Sequence, residues 1–379
     1  MSQAVLSNAA ESCPGTAVAG RADRLPSAIV SSAPAPRTAA DAPASPVLPG
    51  TARSPRSRSR RHVERFVSTT SAPVMRTTAL LPPPVVATMV QASRPGLNRL
   101  LASASKVPAG TRTRQVRQTI RTLDYPSRSE QVRGEWVIGG RSGVGHVRPD
   151  QPIIYYLHGS GYVVCSTRTH RGLTARLSNR TGRAVFSLDY RLAPRHRWPA
   201  AGDDTIRGYL WLLDQGFAPE QIVVAGDSAG GHLALDLLGH NQRTGTPQPG
   251  GVALLSPLYD PTFALARAHQ RTGDSRDPFI EATSGRKFLR LYTGNAAADH
   301  PRMRVVLSPG DALPPTLIQH GGIEVMTADA RAAHDMLAAA GADVTLQSWP
   351  GQGHVFQMFG GSASREALDE LSAFIGPRT

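Results

Sequence analysis

The chain is expected to fold as an α/β domain, a mostly parallel sheet with helices packed on both faces. Three features of its 379 residues lead there: short continuous apolar runs of strand length, amphipathic stretches between them, and Gly-rich turns that close several of the runs. Continuous apolar runs fit strands buried on both faces, and their alternation with helices fits parallel pairing through crossovers.

Residues 1–74 show no sustained period. Stretches such as Ser32-Ala33-Pro34-Ala35-Pro36 and the Arg/Ser run from Arg53 to Arg61 carry too little apolar surface to offset the entropy of ordering. A disordered tail is expected over 1–74 and a folded domain over 75–379. From Met75 to Tyr125, apolar clusters are broken by Pro82-Pro83-Pro84, Pro95 and Pro108, which reads as short helices packed on something else.

The strands follow: Pro152–Leu157, Ala184–Asp189, Gln221–Ala225, Val252–Leu255, Thr316–Gln319 and Val344–Gln347. Between them, Ile206, Tyr209, Leu210 and Leu213 fall on one helical face ended by Gly216. Ala330, Ala333, His334 and Leu337 form another, stopped at Gly341.

Net charge is +14, of which +9 lies in residues 1–110 and +5 in the rest. Lys106 and Lys287 are the only lysines, so the excess is Arg, alongside heavy Ala, Gly and Pro usage. That pattern reads as base composition of the genome, and nucleic acid is not expected as a partner. Cys13 and Cys165 are the only cysteines, with Cys13 in the tail, which fits a reducing compartment. No apolar run reaches the ~20 residues needed to span a bilayer and no signal-peptide pattern is read, so a cytoplasmic location is expected.

Gly226-Asp227-Ser228-Ala229-Gly230 has the form G-x-S-x-G. It follows a strand directly and opens the helical stretch His232–Leu235, the context in which this pentapeptide lifts a serine oxygen above a sheet. His158-Gly159-Ser160-Gly161, after the strand ending at Leu157, resembles an HGGG-type loop whose backbone N–H groups hold an oxyanion. A serine needs a base, and among twelve histidines His354 stands out, in a Gly-rich turn after the strand Val344–Gln347 and before the last helix. Glu324 lies in the loop past the strand Thr316–Gln319, where an orienting carboxylate belongs. Asp329, in the first turn of the next helix, is the alternative.

At these residues the chain resembles the bacterial hormone-sensitive-lipase-like esterases. The resemblance rests on His158–Tyr162, Asp189-Tyr190-Arg191-Leu192-Ala193-Pro194, Gly226–Gly231 and Pro350–Phe356, and extends from about residue 76 to the end. It implies an α/β-hydrolase fold whose helical cap is built from about 76–125 and 262–300. The implied activity is hydrolysis of short to medium acyl esters, or lactones, without cofactor or metal. The implied site is Ser228, Glu324 and His354, with an oxyanion hole drawn from Gly159, Ser160, Gly161 and Ala229.

Three positions depart from the family: Ser160 replaces a glycine, Glu324-Val325-Met326-Thr327-Ala328 stands where Asp-Pro-Leu-x-Asp is usual, and Arg195-His196 stands for Glu-His. An amidase or peptidase, and a non-catalytic small-molecule receptor on the same fold, remain as alternatives. So does a homodimer as the assembly.

Overall fold

The computed structural model describes residues 81–120, 131–310 and 312–376. The tail expected over 1–74 lies outside them. Among the described residues, eight strands form one sheet in the order β1-β2-β4-β3-β5-β6-β7-β8. They are β1 (Arg112–Thr119), β2 (Gln131–Ile138), β3 (Ile153–Leu157), β4 (Ala184–Leu188), β5 (Ile222–Asp227), β6 (Gly251–Leu255), β7 (Thr316–Gly321) and β8 (Val344–Trp349). The β1–β2 and β2–β4 pairs are antiparallel and all others parallel, so the sheet is mostly parallel as expected.

The apolar runs alternate between two cores. Ile153, Tyr155 and Leu157 of β3 face one side and Ile154 and Tyr156 the other, and β4, β5 and β6 divide in the same way. The first core packs helices α3 (Ala200–Asp214), α4 (Ala229–Thr244) and α7 (Thr327–Ala339) through Ile206, Tyr209, Leu233, Ala333 and Leu337. The second packs α2 (Thr167–Thr181) and α8 (Ser362–Ile375) through Leu173, Leu177, Leu368 and Leu371. Helices on both faces are why these strands read as unbroken apolar runs.

The segment expected to form short helices differs. A single helix α1 runs from Pro83 to Ala104 with Pro95 inside it, and β1 follows at Arg112–Thr119. β1 is an edge strand whose residues are exposed except for half-buried Val116, so no apolar alternation marked it. Two further helices, α5 (Ala264–Arg271) and α6 (Ala282–Thr293), stand between β6 and β7.

The registers Leu157↔Gly226, Asp227↔Leu255, Leu255↔Gln319 and Gly321↔Trp349 bring the carboxyl ends of β3, β5, β6, β7 and β8 side by side. That edge is where such sheets carry their chemistry.

Candidate active site

Ser228 occupies the turn between β5 and α4 with φ 52° and ψ −119°, a left-handed backbone that a side chain rarely adopts. Its neighbours explain the glycines. A Cβ at Gly226 would stand 2.5 Å from the Gly230 carbonyl oxygen, and one at Gly230 would stand 2.0 Å from that of Leu157. The turn is held by the Ser228 N–H donating to Leu255 O (2.9 Å), while the Ser228 carbonyl accepts from Gly231 N–H and Leu258 N–H, both at 2.9 Å.

Asp227 joins this turn to the loop after β3. One carboxylate oxygen accepts the Tyr156 hydroxyl at 2.7 Å and the Gly159 N–H at 3.0 Å, and the other faces His170 Nε2 at 3.4 Å. Burial alone would raise the Asp227 pKa. His170, by charge and hydrogen bond, together with the Tyr156 hydroxyl and the charge of His158, outweighs that and lowers it. The Gly159 N–H is therefore held by Asp227, which corrects its place among the oxyanion donors. A Cβ at Gly159 would lie 2.2 Å from Asp227 Oδ2, so this position fixes the loop.

The chain then runs through Ser160 (φ 110°), Gly161 (φ 60°) and Tyr162 (φ 64°), with the Ser160 hydroxyl turned onto the Val164 carbonyl. Among the described residues, the N–H groups of Ser160, Gly161 and Ala229 meet no acceptor. His158 is no base. Burial first, then the charge of His170, pushes its pKa down to about 3, and it stacks on Tyr190 with ring centroids 4.3 Å apart.

The loops after β7 and β8 bring Glu324 and His354 together. His354 Nδ1–H donates to Glu324 Oε2 at 3.2 Å, with Glu324 fully enclosed and the His354 side chain 10% exposed. Burial works to lower the His354 pKa, but the hydrogen bond and charge of Glu324, with Asp277 and Asp227 behind them, raise it. The Ser256 hydroxyl, at the end of β6, accepts the Val355 N–H at 3.0 Å and ties the His354 loop to the strand whose Leu255 carbonyl holds Ser228.

Asp329 serves elsewhere. One of its oxygens accepts the Tyr259 N–H at 3.0 Å and the Asp260 N–H at 2.9 Å, and burial pushes its pKa up to about 7. The sequence offered Glu324 and Asp329 together; the geometry pairs only Glu324 with His354. Asp227 and Ser256 were missed as holding residues. Only the spacing of Asp227 beside Ser228 could have hinted at the first.

Above the loop, Phe288 and Leu289 of α6 lie against Gly161, and Asn98 of α1 exchanges hydrogen bonds with the backbone of Cys165 at 3.0 and 2.9 Å. Among the described residues no cluster of His, Cys, Asp or Glu is arranged to hold a metal ion, and no helix is long and apolar enough to cross a membrane. A strained serine, a histidine paired with a carboxylate and free N–H groups on a neighbouring loop make a set that can transfer an acyl group.

Comparison with known proteins agrees. A family profile described as alpha/beta hydrolase fold matches residues 154–358. An acetyl-hydrolase of Streptomyces hygroscopicus is 34% identical over 251 residues, 65% of this chain and 83% of that protein. A carboxylesterase/phospholipase, LipF, of Mycobacterium tuberculosis is 34% identical over 246 residues, and the match spans 64% of its length. Among solved structures, a mutant of the esterase E40 superposes with a TM-score of 0.70 at 29% identity, covering 85% of this chain and 99% of that one. An esterase described as a member of the bacterial hormone-sensitive lipase family superposes at 0.67, also at 29% identity, covering 83% and 97%.

Proposed function

Because this chain belongs to the α/β-hydrolase family, among its hormone-sensitive-lipase-like esterases, and is a carboxylic-ester hydrolase, we propose that Ser228 is its nucleophile, His354 its general base and Glu324 the acid that orients the base. The observation that carries this is the His354–Glu324 hydrogen bond, together with an elbow that presents Ser228 in a strained, half-buried turn.

His354 Nε2 takes the Ser228 proton as Oγ attacks the ester carbonyl, and the carbonyl electron pair moves onto oxygen. The N–H groups of Ser160, Gly161 and Ala229 receive that oxyanion. Their value is in being aimed beforehand at charge that develops only in the transition state. As the tetrahedral intermediate collapses, the bond to the leaving oxygen breaks and His354 returns the proton to the departing alcohol. Water, deprotonated by the same imidazole, then cleaves the acyl-Ser228 ester by the reverse steps. Glu324 holds the proton on Nδ1 throughout and stabilises the imidazolium.

Short to medium acyl esters, or lactones, are the proposed substrates, and the cytoplasm is the proposed location. The test is a series of p-nitrophenyl esters of increasing acyl length beside a matched anilide. Turnover greatest on short esters and far slower on the anilide supports the reading. Preference for the anilide would make the protein an amidase, and binding without turnover would make it a receptor.

A further inference from the structure

One half-buried carboxyl near the site has no part in the steps above. Asp277 stands in the stretch between α5 and α6. One of its oxygens accepts the N–H groups of Phe279 (2.8 Å) and Ile280 (3.2 Å), and the other accepts the Val325 N–H at 3.0 Å. The same stretch reaches the far side of Glu324, where the Arg276 N–H donates to the Ile323 carbonyl at 3.0 Å and the Ser275 hydroxyl approaches it at 3.4 Å. The backbone on both sides of Glu324 is thus held by residues 275–277. Pro278 and Phe279 lie against Gly353, the residue before His354, where a Cβ would stand 3.2 and 3.4 Å from them.

An uncharged amide or hydroxyl has one acceptor oxygen and could meet only one of these two groups of backbone donors. An aspartate meets both and adds a negative charge: the fields of Asp277 and His354 each favour the other's ionised form, although burial holds the Asp277 pKa up overall. Three carboxyl groups act on His354: Glu324 from the loop after β7, Asp277 from the stretch before α6, and Asp227 from the end of β5.

We propose that Asp277 is a positioning residue for ester hydrolysis, fixing the backbone around Glu324 and setting a second negative charge against the His354 imidazolium. This rests on the roles given above to Ser228, His354 and Glu324. The imidazolium exists only after proton transfer, so the charge acts on kcat and on the protonation of His354, and little on ground-state binding.

The test is the pH profile of kcat/KM for p-nitrophenyl acetate in the full-length wild type and in Asp277→Asn, Asp277→Ser and Asp277→Glu, with active sites counted by fluorophosphonate titration. The acid limb marks protonation of His354 in free enzyme. Removing a negative charge that favours the protonated ring moves the limb to lower pH. Asp277→Asn or Asp277→Ser should shift it down by about 0.5 to 1 unit. Both should lower kcat about ten- to a hundredfold with KM nearly constant, and Asp277→Glu should bring the limb back toward the wild type.

An acid limb unmoved in the neutral variants overturns the proposal, even if kcat falls. Collapse of both neutral variants with Asp277→Glu folded also overturns it, since the carboxyl would then be purely structural. Ser228→Ala separates the two layers: if it stays active the nucleophile assignment fails, whereas an inactive Ser228→Ala with an unmoved limb at position 277 removes only this inference.

Discussion

Exchanging Glu324 for glutamine preserves the shape of the acid and deletes its charge. In the native site His354 Nδ1–H donates to Oε2 across 3.2 Å in an enclosed pocket. An amide there can offer its NH2 to Nδ1, which places the ring proton on Nε2, the nitrogen that accepts the Ser228 proton in the proposed mechanism. Loss of the acid in comparable triads lowers kcat about ten-thousandfold, or about 5.5 kcal/mol of transition-state stabilisation at ~1.4 kcal/mol per decade. The charges of Asp277 and Asp227 still favour the protonated ring, so the fall expected for Glu324→Gln is about a thousand- to ten-thousandfold. Folding should barely change, because Glu324 Oε1 has no partner among the described residues and the variant removes a buried charge that is only half satisfied.

Asp329 supplies the contrast. Asp329→Ala leaves the Tyr259 and Asp260 N–H groups without their acceptor, at about 1–3 kcal/mol of folding stability each. The folded pKa of Asp329 lies at about 7, above its unfolded value, so the folded state binds the proton more tightly. The stability gained that way is fully present below the unfolded carboxylate range near pH 4 and is lost as pH rises through about 7. Asp329→Asn should abolish that part of the pH dependence and leave turnover within a few-fold of wild type. Steady-state hydrolysis of p-nitrophenyl esters, with thermal unfolding at pH 5 and pH 8, reads both effects. A Glu324→Gln enzyme that keeps a tenth or more of its kcat, or an Asp329→Asn enzyme that is crippled, would refute the reasoning.

Two further outcomes follow from the geometry and the composition. Gly159→Ala places a methyl group 2.2 Å from Asp227 Oδ2 and must displace the oxyanion loop; kcat should fall about a hundredfold or more with KM changed little, and unchanged kinetics would deny the loop its role. Deleting residues 1–74 should leave kcat and Tm close to those of the full chain, since their composition offers little apolar surface to pack; a large fall in Tm would refute that reading.

Most of the strands that were legible are buried on two faces, but Val344–Gln347 was read although β8 is a half-buried edge strand, and the largely buried β2 was not read. Ile153–Leu157 and Ile222–Ala225 read as unbroken apolar runs because helices cover both sides of the sheet. β1 was not legible: its Arg, Thr and Gln side chains are set by an edge that faces solvent, and its pairing partner starts only at Gln131. α1 continues past Pro95, where local propensity argues for a break.

In the site, Ser228 and His354 could be read because each sits in a local context that demands it, a strand-to-helix turn and a Gly-rich loop. The parts that hold them were not local. Asp227 reaches Gly159, Ser256 reaches Val355 and Asp277 reaches Val325, and no spacing in the chain announces those contacts. Gly159 shows the same limit from the other side. The motif places it among the donors, whereas its N–H is claimed by a carboxylate 68 positions later.

The claim on which all else rests is that Ser228 forms the acyl-enzyme. Reaction with a fluorophosphonate, followed by intact-mass measurement and peptide mapping, tests it most directly, because the reagent captures an activated serine and stays bonded to it. One adduct per chain is expected, on the peptide that carries Gly226–Gly230, and none in Ser228→Ala, which should keep its Tm and lose ester turnover. An adduct on another residue, or turnover that survives in Ser228→Ala, would contradict the account.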